Sequence, residues 1–283
     1  MSGEVIAKLM RRAIPAAAMA LLLAAPAWCR PPSLPPLDAG YRDMYNLDFP
    51  AAHEIFHAWQ QAHPTDPIAP VSDAAAYMFS EFQRLHILEM DLFVENDTFE
   101  HRQKPVPDPQ VRSAFNQALN TAEKLAKDSL ARSPEDHNAM FAEIMVNGLR
   151  GDYAAMIEKR NFAGLGFMKT SRALAEKLLS ADPSYYDAYL ATGVENYLLG
   201  INPAPVRWLL RLGGAQTDKT KGVQQLRLTA ERGHYLAPYA RLLLAVAALR
   251  DKDRTTARKL LQGLAEEFPQ NPLYAKELAR IQP

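Results

Sequence analysis

The chain has 283 residues and 32 basic against 32 acidic side chains, so no global field draws it onto nucleic acid. Hydrophobic residues make up 48% and charged residues 23%, which excludes collagen-like, low-complexity and disordered-tail classes and fits one or two folded domains. A single cysteine, Cys29, rules out an internal disulfide and a cysteine-rich metal cluster.

In chain order, residues 1–27 read as a signal peptide rather than part of a fold. Lys8, Arg11 and Arg12 precede the apolar run Ala13–Ala25, and Ala25-Pro26-Ala27 gives the small-x-small pattern of a cleavage site. Met10 offers a second possible start. Cys29 raises the question of a lipid anchor, but Trp28 stands where a lipobox has a small residue. Residues 28–40, with Arg30-Pro-Pro-Ser-Leu-Pro-Pro36, read as an extended proline-rich lead. The expected address is therefore exported, in the periplasm or the cell envelope, without strong membrane association unless Cys29 is lipidated.

From residue 41 to 283 the chain reads as one helical domain. Apolar residues recur at helical spacing in Ala122, Leu125, Ala126 and Leu130, in Leu174, Ala175, Leu178 and Leu179, and in Ala257, Leu260, Leu261 and Leu264. No stretch alternates like a strand. A common phrase ends the helices: AHPTDP around Pro64, ARSPED around Pro134, SADPSYY around Pro183 and EFPQNP around Pro269. Ser133-Pro134 and Asp182-Pro183 read as cap and first turn of a following helix. Twelve residues before each proline stand Ala52, Ala122, Ser171 and Ala257, small enough for a close helix crossing; eight before stand Phe56, Ala126, Ala175 and Leu261, all apolar.

This phrase resembles the tetratricopeptide repeat, whose paired helices carry a small residue, an apolar residue and a proline in that order. YYDAYLATGVENYLLG (185–200) and APYARLLLAVAAL (237–249) are similar to its first helix, with Gly193 and Ala245 at the close-packing point. The block order Asn196-Tyr197, Pro203-Ala-Pro205, Arg207-Trp208 and Asp218-Lys-Thr-Lys-Gly222 resembles exported bacterial repeat proteins with no assigned chemistry. The resemblance implies an all-α, irregular tetratricopeptide-like helical-hairpin array, an α-solenoid. It also implies that the first helix of each pair lines a concave surface that holds peptides. On that phasing Asn138, Phe141, Asp187, Leu190 and Tyr197 are the groove candidates.

One motif points elsewhere. His53-Glu54-Ile55-Phe56-His57 is an H-E-x-x-H, which on a helix sets two imidazoles on one face with a glutamate able to activate zinc-bound water. With His63 the pattern resembles the metzincin peptidases, although Gln60 replaces their turn glycine and few residues precede the motif. Ala52, Phe56 and Pro64 also satisfy the repeat phrase, which makes His53 and His57 flanking polar residues of a structural helix. No nucleophile elbow, Walker loop or dinucleotide fingerprint occurs. Glu143, Asp152, Glu158 and Lys159 read as a solvated face, and the PAPVRWLLRLGG insertion (203–214) as packing within the array.

The expected function is a non-catalytic, cofactor-free envelope scaffold or adaptor that binds a protein or peptide; the alternative is a zinc metallopeptidase using His53, Glu54, His57 and His63.

Overall fold

The computed structural model describes residues 36–89, 103–202, 208 and 212–281. The expected signal peptide, Cys29 and most of the 203–214 insertion lie outside the described residues. Within them there are eleven α-helices, one short 3-10 turn and no strand, so the fold is an all-α helical-hairpin array.

The helices run α1 (Pro36–Tyr45), α2 (Phe49–Ala62), α3 (Ile68–Arg84), α4 (Pro109–Arg132), α5 (His137–Met156) and α6 (Asn161–Ala181). A 3-10 turn, Tyr186–Ala188, leads into α7 (Tyr189–Gly200), followed by α8 (Lys219–Arg232), α9 (Ala237–Arg250), α10 (Arg254–Glu267) and α11 (Pro272–Arg280). Each helix packs on the next in sequence, and α3 also packs on α1 and α5. Helix α1 begins at Pro36, inside the segment expected to be an extended lead, because proline is well suited to a helix's first turn.

The recurring phrase folds into the same turn four times. The residue before each proline donates its amide back into the helix just ended: His63 to Trp59 O, Ser133 to Ser129 O, Asp182 to Leu178 O and Phe268 to Leu264 O, all 2.7–2.9 Å. Three residues later another amide closes the loop, as in Asp66 N to His63 O and Asn271 N to Phe268 O. Ser133 and Asp182 therefore end helices rather than start them. The proline sits in the turn, where its fixed φ is already suitable, and Asp136 or Asn271 caps the next helix.

The two helices of a pair differ in burial. The second helix, α2, α8 or α10 for example, buries one stripe: Phe49, Ala52, Phe56; Gly222, Leu226, Thr229; Ala257, Leu261, Leu264. The first helix is buried nearly all round. Every residue from Ile68 to Ala76 in α3, from Ala139 to Asn147 in α5 and from Leu244 to Ala248 in α9 is inaccessible. The small crossing residues Ala52, Ala122 and Ala257 are fully buried, and a Cβ on Gly222 would stand 2.5 Å from Tyr197 N.

The array closes on itself. Asn271 Nδ2 donates to Tyr45 O (2.9 Å) and Gln270 N to Asn46 Oδ1 (3.2 Å), joining α11 to the end of α1. The Tyr41 ring stacks on Tyr235 at 4.6 Å, Tyr45 Oη donates to Tyr235 O, and Phe79 of α3 meets Tyr239 of α9 edge-on. Tyr41 fills the middle, against Phe56, with Ser72 Oγ donating to its hydroxyl and Met145 of α5 beside it. Burial pushes the Tyr41 and Tyr45 phenols well above their usual range. A cleft at this seam, lined by Met44, Leu47, Phe79 and Leu273, has room for about 30 Å³, little more than water.

Candidate functional site

The H-E-x-x-H segment lies within α2. Ala52 and Phe56 take the buried stripe, which turns His53 and His57 to its flank, one turn apart and facing α3. From α3, Asp73 reaches between them: His53 Nδ1 is 2.6 Å from Asp73 Oδ1 and His57 Nε2 is 3.0 Å from Asp73 Oδ2. Asp73 is buried, His53 is partly covered under the Tyr77 ring at 4.0 Å, and the His57 side chain is 49% exposed. Among the described residues this is the one group of three histidine or acidic side chains whose ligand atoms lie within 4.8 Å of one another. Glu54 is exposed.

His63 does not join them. It follows the end of α2, stacks on Trp59 at 3.8 Å and lies 3.1 Å from Trp59 O through Nδ1. The third member of the expected metal set is thus replaced by Asp73. Its signal in the sequence is an acid alone in an otherwise apolar and small run, IAPVSDAAA, where a buried carboxylate needs partners.

The five groove candidates do not form one surface. Asn138 is exposed at the start of α5 and accepts a hydrogen bond from Tyr185 Oη, while Phe141 is fully buried against the Tyr185 ring at 5.1 Å. Asp187 is buried with both oxygens occupied: Oδ2 accepts from His234 N and Tyr235 N, and Oδ1 from Leu236 N, at 3.0–3.1 Å. It organises the turn from α8 into α9, the one turn between successive helix pairs among the described residues that lacks the proline phrase. Burial raises its carboxyl above the usual range, opposed by those three amides. Leu190 and Tyr197 meet in a separate cluster with Leu226 and Leu244, and burial pushes the Tyr197 phenol up to about 12. Phe141, Asp187 and Tyr197 therefore offer almost no surface to a peptide, because each packs against the neighbouring helices and turns along the array.

The acidic face of α5 is not solvated either. Glu143 is buried and raised by desolvation, and burial pushes Asp152 up to about 7. Glu158 is held by Arg112 at 2.8 Å and Arg160 at 3.1 Å.

Exposed large apolar side chains stand on the first turn of α6, at the end of α7 and at two described positions between α7 and α8. Phe162, on the first turn of α6, is 92% exposed; Trp208 is 64% and Leu212 66% exposed, and Leu198 at the end of α7 is also open. Lys169 Nζ donates to Gly213 O (2.6 Å), tying the connection to α6 two turns beyond Phe162. Beneath, the buried Glu195 pairs with Arg172 at 2.9 Å and accepts from Gln216 N. Arg172 also pairs with Glu176 at 2.8 Å. No helix among the described residues is long and apolar enough to cross a membrane.

Comparison of the chain with known protein families, curated proteins and solved structures finds no match.

Proposed function

We propose that this protein is an exported, non-catalytic scaffold of the tetratricopeptide type, and that it takes a protein partner on its outer edge rather than in an inner groove. The observation that carries this reading is the exposed set Phe162, Leu198, Trp208 and Leu212 on an array whose inner helices are packed shut. Large apolar side chains this open cost solubility unless something covers them. Arg160 and Lys169 border the same part of α6 and are themselves exposed. A fitting partner is accordingly a protein segment with apolar side chains flanked by carboxylates, the arrangement that matches shape and charge at once. The reading retains the expected partner class and moves the site away from Asn138, Phe141, Asp187, Leu190 and Tyr197.

The test is co-purification from envelope extract with the wild-type chain and with a Phe162→Ser, Leu212→Ser double variant. A single stoichiometric partner, reduced at least tenfold by the double variant, is the expected result. Equal recovery with both chains would overturn the proposal. The chain recovered from the envelope should begin at Trp28 by intact mass.

A further inference from the structure

Five other carboxylates among the described residues are buried: Glu81, Glu195 and Glu277 pair with arginines, Asp187 accepts from three amides, and burial raises the Glu143 carboxyl. Asp73 is different. Its two oxygens face two imidazole nitrogens, groups that bind metal ions as readily as they hydrogen-bond. We propose that His53, His57 and Asp73 bind one divalent transition-metal cation of the zinc class, clamping α2 to α3.

Three features of the geometry lead there. The histidines are four apart on one helical face, so their side chains converge without backbone rearrangement. The carboxylate comes from a neighbouring helix that is rigid because it is buried all round, which fixes the third position. The half-exposed His57 leaves the outer side open, so water or a ligand completes the coordination.

The dimensions are compatible. Zinc-class ions hold imidazole nitrogen and carboxylate oxygen at about 2.0–2.2 Å, which spaces tetrahedral ligand atoms roughly 3.4 Å apart. The present His53–Asp73 and His57–Asp73 contacts of 2.6 and 3.0 Å are each within about 1 Å of that spacing, and all three ligand atoms lie within 4.8 Å of one another. Two nitrogens and a single carboxylate select against calcium and magnesium, which require oxygen-rich shells. The ion would tie the outer helix of the first pair to the inner helix of the next.

The measurement is calorimetric titration of untagged, metal-stripped protein with zinc chloride. One zinc per chain, no heat with magnesium or calcium chloride, and a melting midpoint raised by several degrees at saturation are expected. His57→Ala should lower zinc affinity at least tenfold, and so should Asp73→Asn, while His63→Ala leaves it unchanged. His57 is half-exposed, so its removal tests the site even where the Asp73 variant folds poorly. Absence of one-to-one zinc binding in the wild type, or unchanged affinity in His57→Ala, would overturn the proposal and leave the three residues as a hydrogen-bonded cluster.

Discussion

The inner helices α3, α5 and α9 and the outer helices α2, α8 and α10 meet different demands. The outer helices bury one stripe and give the rest to water. The inner ones have no solvent face over their central turns, so Ser72, Asp73, Glu143 and Asn147 are buried with the hydrophobic residues around them. Polar groups in the two layers therefore mean different things. On an outer helix a polar residue is solvated by default; on an inner helix it is paired, as Asp73 is, or its charged form is disfavoured by burial, as for the raised Glu143 carboxyl.

The comparison is most directly broken with two phenylalanines. Phe141 in α5 is fully buried, and Phe141→Ala should cost about 3–5 kcal/mol. Phe162→Ala, at the open end of α6, should stay within about 0.5 kcal/mol. Chemical denaturation of both variants checks it; similar losses would mean that the α6 edge is part of the core.

A smaller effect probes the closure. Ala257 sits at the crossing of α9 and α10 with no accessible surface, and Ala257→Leu should cost about 1–3 kcal/mol, against under about 0.5 for the exposed Lys259→Ala. In an open array the damage would stay with its neighbours. Here Asn271 and Gln270 hold Tyr45 and Asn46, so hydrogen exchange in Ala257→Leu should quicken in α1 as well as in α10 and α11. Exchange confined to the C-terminal helices would show that the seam contributes little.

The last effect concerns charge in the inner layer and depends on pH. Burial raises Asp152 from 3.8 to about 7, so the folded protein retains a proton that the unfolded chain has already released. Stability from this group is therefore lost as pH rises from about 4 to about 7. Asp152→Asn should melt several degrees above wild type at pH 8, with the gain shrinking toward pH 5. A gain independent of pH would locate the effect in packing instead of charge.

Much of the architecture was readable in the sequence. The four proline phrases fold into four equivalent turns, and the small residues twelve positions before them lie at helix crossings, because both features depend on local backbone geometry and on periodicity. The turn at Gly233–Leu236 was not readable as a member of the set, since Asp187, distant in sequence, does there what the proline phrase does elsewhere. The two histidines on one helical face followed from their spacing alone. Asp73 as their partner did not, because it comes from the next helix.

The sequence by itself determined an all-α chain of paired helices, the phrase that ends four of them and the small residues where they cross. These are matters of propensity, capping and side-chain size over a dozen residues. Only the tertiary structure decided that the pairs curl until α1 meets α11, because that depends on packing angles summed over many crossings. That summation brings Tyr41 against Tyr235 and Phe79 against Tyr239, while contacts between adjacent pairs bury Phe141, Asp187 and Tyr197. It also leaves as accessible features the α6 edge and the half-open flank of His57.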